Sequence, residues 1–348
     1  MMNIYITTFI MSSSLTSSID IKIVERELLR KKLYENNIIG WLSQKIPQFK
    51  PKEISHIMLR YIFNKNITKT STDDPVFITT RSPLAELQLT NDFKYSKITL
   101  NPEEIIEEIE KRLASCALQV DDKNIKPDRY ISLKNGRILY GSFLSYVDIS
   151  SLAEKHPNDI NYAFALNIRY NYLKLLNHGL ARTFDKMGYK TSDSTEGFAS
   201  AFNHYFDRFC SAFPDLEKPF GSMGSFFDNS SWTTYEVYIN PPFDEVLMAN
   251  AFERIYKYLQ NDQNEPHKFL FTIPNWDGFP ALDDLKKSEW TTSVVIHKKG
   301  DLPFIDYMNN KKIIYPCDIA EVILETKKII ITEEKKEIEI IFEEDDDD

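Results

Sequence analysis

Apolar positions along this chain switch from one spacing to another, and the switch divides it. Between Ile19 and Leu42 they fall at Ile23, Leu28, Leu29 and Leu33, a spacing that predicts an amphipathic helix, and Glu53 to Phe63 predicts another. Asn101-Pro102-Glu103-Glu104 reads as a helix start, with a capping side chain, a proline in the first turn and two acids at the positive end of the dipole. That helix should reach about Leu118. Tyr130 to Leu133 and Arg137 to Tyr140 flank Asn135-Gly136, a two-residue hairpin turn. Asn158 is placed to cap a long helix through Leu176. The pattern predicts a flexible start (1–18) followed by a helical, partly mixed accessory region (19–157).

From about Gly188 strands alternate with helices and loops, which predicts an open α/β sheet within a second region, 158–342. Thr233 to Ile239 reads as a strand, Asp244 to Gln260 as a helix and Lys268 to Ile273 as a buried strand. Ser293 to His297 and Ala320 to Leu324 read as late strands, an antiparallel pair at one sheet edge, and the alternating run Ile329 to Phe342 as a hairpin. Open sheets of this kind bind ligands outside the carboxyl ends of their strands. Asn240 and Trp276 both fall there.

Asn240-Pro241-Pro242-Phe243 joins the strand ending at Ile239 to the helix that follows. A polar residue, two prolines and an aromatic in that place form the signature of amino-group methyltransferases. The exocyclic N6 of adenine is a poor nucleophile because its lone pair is delocalised into the ring. The Asn240 amide oxygen and the Pro241 carbonyl can each accept one N6 hydrogen, localising that pair without a charged base. Proline removes backbone donors and keeps the residue before it extended, so both acceptors can point into a cleft, and Phe243 can stack on an extruded base. The same four residues also serve as a plain strand-ending turn.

Around the tetrapeptide the chain reads Phe198-Ala199-Ser200, Asn203, Tyr205-Phe206, Cys210 to Asp215, Phe220-Gly221-Ser222, Gly224 and Asp228, and then Glu245, Leu247 and Met248. Further on comes Phe271-Thr272-Ile273-Pro274-Asn275-Trp276. In order and spacing this resembles the phosphorylated-CTD-interacting factor family, the cap-specific adenosine N6-methyltransferases of eukaryotic messenger RNA. The resemblance implies an α/β class I Rossmann-like methyltransferase domain using S-adenosyl-L-methionine. The implied substrate is capped mRNA, methylated at N6 of the cap-adjacent 2′-O-methyladenosine. By the same resemblance Asn240 to Phe243 hold the target adenine, and Glu245 with the loop Trp276-Asp277-Gly278-Phe279-Pro280 lies on the substrate side. Phe198, Ala199, Ser200 and Asn203 are cofactor candidates. Gly221, Ser222 and Asp228 join them, although two glycines alone also make an ordinary turn and an Asp also caps loops. Lys298, Lys299 and Arg81 are candidate phosphate contacts and Phe304 a further substrate-side candidate. Arg169 and Tyr170 are read as packing residues.

The chain departs from the family pattern in places. It has Ala199-Ser200-Ala201 where Ala-Ser-Pro is usual, Asp277 to Pro280 where a charged, proline-rich loop is usual, and a shorter basic stretch between the last strands. Trp41 has no second spaced tryptophan before residue 200, so no WW-mediated contact with RNA polymerase is expected. Two other readings stay open: N6-adenine methylation of DNA, and a binding pseudoenzyme without turnover.

Composition narrows these readings. A formal net charge of −10 argues against broad, nonspecific nucleic-acid affinity but leaves room for a focused basic site. Part of that charge sits in the run Glu343 to Asp348, read as a solvated acidic tail. Cys116, Cys210 and Cys317 are far apart and the six histidines scattered, so neither a disulfide framework nor a metal site is expected. Met1 to Ser18 lacks the basic start of a secretory signal, and no stretch approaches the roughly 20 apolar residues of a membrane span. An intracellular enzyme of a eukaryotic or virus-infected cell is expected.

Overall fold

The computed structural model describes residues 22–120, 131–134, 137–140, 143–144, 149–175, 181–182, 194–229, 232–261, 266–306 and 311–326. The expected flexible start, the hairpin at 329–342 and the acidic tail lie outside them. In the helical region α1 (Lys22–Leu33) continues through a π-helical turn (Tyr34–Ile39) into α2 (Gly40–Lys45). Then follow α3 (Pro51–Thr68), α4 (Pro83–Tyr95) and α5 (Pro102–Gln119). Asn101 caps α5 as expected, its side chain accepting the Glu103 N–H at 3.1 Å.

The face that α1 buries differs from the apolar reading. Val24, Glu27, Arg30 and Leu33 are buried, whereas Ile23, Leu28 and Leu29 are only partly so. Two charged residues displace the apolar set because each finds partners inside, Glu27 at Arg169 and Arg30 at Asp74.

The hairpin expected around Asn135-Gly136 is present in its strands, β1 (Ile131–Lys134) and β2 (Arg137–Tyr140), antiparallel with Lys134 opposite Arg137. A short β3 (Phe143–Leu144), α6 (Ser150–Lys155), α7 (Ile160–Tyr172) and β4 (Ala181–Arg182) follow. Asn158 does not cap α7. It lies within a 3₁₀ turn (Pro157–Asp159), and the helix begins at Ile160 without a side-chain cap. It also ends at Tyr172 rather than Leu176, with Lys174 just beyond at φ +61°.

The remaining elements are β5 (Ser194–Ala199), β6 (Arg208–Ser211), α8 (Pro214–Glu217), β7 (Glu236–Ile239), α9 (Glu245–Asn261), β8 (Lys268–Pro274) and α10 (Pro280–Lys287). After them come β9 (Thr291–His297), β10 (Phe304–Asp306), β11 (Lys311–Ile313) and β12 (Ile319–Glu325). The main sheet is mostly parallel, in the order β6-β5-β7-β8-β12-β9. β6, β5, β7 and β8 run parallel, while β12 is antiparallel to both its neighbours. The late antiparallel pair therefore exists, with β9 at the edge. Beyond β6 the chain adds a parallel bridge, Ser222 to Phe209. The order of strands reverses between β5 and β7, which opens a crevice at their carboxyl ends.

Helix α9 packs on the sheet through Met248, Ala251, Phe252, Ile255 and Leu259, a helical stripe facing Val237, Ile239, Phe269, Phe271, Val322 and Leu324. A second apolar cluster runs from Val24 to Phe220 and is continuous across residue 158, since α1 packs on α7. The helical region is thus welded to the amino-terminal part of the sheet.

Candidate active site

The crevice between β5 and β7 opens into a cavity of about 320 Å³. Its floor is the end of β5 with the turn beyond it, Gly197, Phe198, Ala199, Ser200 and Asn203, beside Asn240 to Phe243 at the end of β7. Helix α3 forms the opposite wall with His56, Leu59, Arg60, Phe63 and Asn66. All four tetrapeptide residues and four of the expected cofactor residues therefore share one hollow. The α3 wall and Tyr315, which also lines the cavity, were not foreseen.

Backbone chemistry shapes the floor. Asn203 Oδ1 accepts from the Ser200 N–H (2.9 Å) and Ser200 Oγ (2.8 Å), which folds the turn after β5. Gly197 has room for nothing larger, because a Cβ there would meet the Phe226 ring at 2.9 Å. That ring lies 4.6 Å from Phe198 between centroids. Glu217 draws the loops after β5 and β6 together, accepting from Ala201 N–H (2.9 Å), Phe213 N–H (3.3 Å) and the Tyr170 hydroxyl (3.2 Å). Burial pushes its carboxyl up to about 7 against these bonds. Cys210 also lines the cavity, and burial pushes its thiol up to about 12, so it stays protonated.

Phe243 meets Tyr315 at 4.7 Å, tilted by 53°, and Phe304 stands edge-on to Tyr315 at 4.6 Å. Phe304 is itself 1% exposed, so it backs this aromatic platform. Asp244, just after the tetrapeptide, is buried and caps α9 by accepting the Leu247 N–H at 2.8 Å.

The other expected site residues sit elsewhere. Gly221 ends a 3₁₀ turn at φ +100°, a left-handed conformation suited to glycine, and Ser222 forms the bridge beyond β6. Neither lines the cavity, although Ser222 Oγ lies 2.6 Å from Ser211 Oγ, which does. Asp228 also lies off the lining, near Lys69 at the end of α3. Glu245 is half-buried at the start of α9 and away from the lining. Trp276 is half-buried and Asp277, Gly278 and Pro280 are exposed, whereas Phe279 is a core residue against Phe252. Lys298 is exposed and donates to Asp318 at 2.9 Å, and the Lys299 N–H donates to the same carboxylate. The Asn275 N–H donates to the Asp318 carbonyl, so one residue draws the Trp276 loop and the Lys298 turn together, away from the cavity lining. Arg81 is exposed and paired with Glu86. Arg169 and Tyr170 are fully buried packing residues, as read, with Tyr170 also reaching the cavity wall. Among the described residues no cluster of His, Cys, Asp and Glu could hold a metal, and no helix is long and apolar enough to cross a membrane.

The segment that carries this site matches known proteins. The family described as "Phosphorylated CTD interacting factor 1 WW domain" matches residues 150–306. Two curated relatives, from Mus musculus and Homo sapiens, both named mRNA (2′-O-methyladenosine-N(6)-)-methyltransferase, are each 39% identical to this chain over 100 residues. The match spans 28% of this chain and 14% of each relative's length. The family span takes in the floor of the crevice, the tetrapeptide and the aromatic contact up to Phe304, so the segment that carries most of the site is similar to the phosphorylated CTD interacting factor 1 family.

Proposed function

We propose that this chain transfers a methyl group from S-adenosyl-L-methionine to N6 of adenosine in RNA. The observation that carries the reading is the placement of Asn240-Pro241-Pro242-Phe243 at the carboxyl end of β7, sharing one cavity with the end of β5. The sheet order supports a class I Rossmann-like fold. Counting from β5 in chain order, the Ser222 bridge, β6, β5, β7 and β8 stand in the order 3-2-1-4-5 of a doubly wound nucleotide-binding sheet.

The cavity suits the cofactor in size, since drug-sized ligands occupy pockets of about 300–1,000 Å³. Its lining combines aromatic and small walls, Phe198, Phe226, Phe227 and Ala212, with polar groups at Ser200, Asn203 and Ser211. When bound, the cofactor supplies an electrophilic methyl group. The chain's part is to prepare the acceptor. Asn240 Oδ1 and the Pro241 carbonyl each accept a hydrogen bond from one N6–H and draw the nitrogen toward tetrahedral geometry. Phe243 stacks on the base, backed by Tyr315, a contact worth roughly 1–3 kcal/mol per base. As the N–C bond forms the sulfur–methyl bond would break to leave a neutral thioether, and the surplus proton on the methylated nitrogen, strongly acidic by then, would pass to water, so no strong base is needed and the protonated Cys210 thiol supplies none.

The curated relatives carry a name specifying 2′-O-methyladenosine in mRNA. We take the cap-adjacent 2′-O-methyladenosine of capped mRNA as the substrate here, with Trp276 and Lys298, drawn together by Asp318, as candidate contacts outside the cavity lining. The test is transfer from labelled S-adenosyl-L-methionine to matched RNAs beginning with adenosine, one bearing a 7-methylguanosine cap and one a bare triphosphate. N6-methylation confined to the capped RNA is the expected result. Equal methylation of both overturns cap specificity and keeps the chemistry, and none in either overturns the function.

A further inference from the structure

Two prolines leave the turn from β7 into α9 short of backbone donors, so something else must hold it. Asp244 does so four times over. Its N–H donates to the Pro242 carbonyl (2.8 Å) and its carbonyl accepts from the Met248 N–H (2.8 Å). Its Oδ1 accepts from the Leu247 N–H at 2.8 Å and from Asn64 Nδ2 at 3.2 Å. Asn64 belongs to α3, where its amide also donates to the Arg60 carbonyl (3.0 Å) and its own carbonyl accepts from Ser82 Oγ (3.3 Å). One carboxyl oxygen is therefore shared between the motif helix and the helical region.

The second oxygen is different. Asp244 lies in the cavity wall at 4% exposure, and its Oδ2 is buried without a hydrogen-bond partner. Arg60 Nε stands 4.0 Å away, but that guanidinium is spent on Asp92 of α4, at 2.8 and 3.2 Å. An unpaired buried carboxylate oxygen is costly, and a fold tolerates one where function sets the residue.

We propose that Asp244 is a positioning residue through which α3 sets the geometry of the Asn240–Phe243 turn, so that the helical region governs turnover without touching the target nitrogen. The inference rests on the methyltransferase reading above. It gives the helical region a chemical task beyond walling the cavity.

Burial drives the Asp244 carboxyl up to about 6, against the Leu247 and Asn64 hydrogen bonds and Arg60, with Asp92 adding to the rise. Arg60 of α3 and Asp92 of α4 are the charged groups that bear on it from the packed elements. Because the folded value exceeds the ordinary 3.8, its stabilising contribution is full below 3.8 and is lost as pH rises through 6.

The experiment compares wild type with Asn64→Ala, Asp244→Ala and Asp244→Asn in kcat and KM against RNA across pH, and in Tm across pH. Asn64→Ala should lower kcat about tenfold and Asp244→Ala about a hundredfold, the scale of a small misplacement of reacting groups, with KM for RNA changed less than about twofold. Asp244→Asn keeps an oxygen for the Leu247 N–H, so it should restore most of kcat and abolish any inflection near pH 6. It should also remove a fall in Tm through pH 6 that wild type shows. Wild-type kcat in Asn64→Ala, or an inflection near pH 6 kept by Asp244→Asn, overturns the inference while the methyltransferase reading stands. A wild type inactive on every RNA overturns that reading, and the tie is then judged on Tm alone: a fall between pH 4 and 6 of the same size in wild type and Asp244→Asn, beyond the fall toward pH 7 that Glu217 gives both, refutes it.

Discussion

Two junctions fasten the helical region to the sheet, and both bury a carboxylate. At the first, Glu27 of α1 receives Arg169 of α7 in a bidentate grip (2.5 and 3.0 Å), Arg30 from its own helix, and the Tyr172 hydroxyl at 3.2 Å. Arg169 also reaches Asp215 at 2.7 Å and stacks on Phe213, while Arg30 reaches Asp74. Burial alone would raise the Glu27 pKa, but the guanidiniums outweigh it and bring it down to about 2. At the second, Asp244 has neutral donors on one oxygen and no hydrogen bond on the other, only Arg60 Nε at 4.0 Å, and it rises to about 6. Burial acts in the same direction at both sites, so the number and charge of partners decide the sign. The clasp off the cavity lining is fully compensated, and the one beside the tetrapeptide is left short.

The comparison breaks first at Arg169. Arg169→Leu should destabilise the chain by about 3–5 kcal/mol in denaturant unfolding, because it strands Glu27 as a buried, undercompensated charge. A loss below about 1 kcal/mol would mean that the network is no clasp. Asn240→Ala should act in the opposite manner. Turnover should fall by about 10²–10³, or roughly 2.7–4 kcal/mol of transition-state stabilisation, with the unfolding midpoint unchanged.

Acid and base limbs sharpen the contrast. Glu27 is held below its ordinary 4.5, so its contribution is present above that pH and fades as pH falls toward 2. Glu217 is held above 4.5, so its contribution is full below 4.5 and fades as pH rises through 7. In calorimetric scans Glu27→Gln should flatten the loss of Tm below pH 4.5, and wild type should show a separate fall toward pH 7. Smaller effects belong to the periphery. Asn101→Ala should cost about 1 kcal/mol as a lost cap, and Lys298→Ala should leave the unfolding midpoint unchanged, so a weakening of RNA binding by the latter would mark the Lys298 turn as a phosphate contact.

Local chemistry made part of this molecule readable. The Asn101 cap, the strands of the β1–β2 hairpin and the strand–motif–helix order around Asn240 depend on neighbouring residues and were legible from spacing, and the two strands of the late antiparallel pair were legible from their own alternation. What depends on distant partners was hidden. Glu27 could be read as buried only by knowing of Arg169, 142 residues away, and Asp244 only by knowing of Asn64, 180 residues away. The α3 wall and Tyr315 were missed for the same reason. Asn158 misled because a capping residue type beside a proline also suits a 3₁₀ turn. In Gly221-Ser222-Met223-Gly224 the glycines mark tight turns beside β6, a backbone demand that a cofactor loop would share.

Strand β12 forms late in the chain yet lies inside the sheet, between β8 and β9, with Ala320, Val322 and Leu324 fully buried. Its partners on β8 were made some fifty residues earlier, with Val322 opposite Phe271 and Ala320 opposite Ile273. During synthesis β8 must therefore wait with one open edge while β9 is made and set aside. A nascent chain stalled before Ile319 would expose that edge to other strands, so a chaperone or slow dilution should matter most at this one step of its assembly.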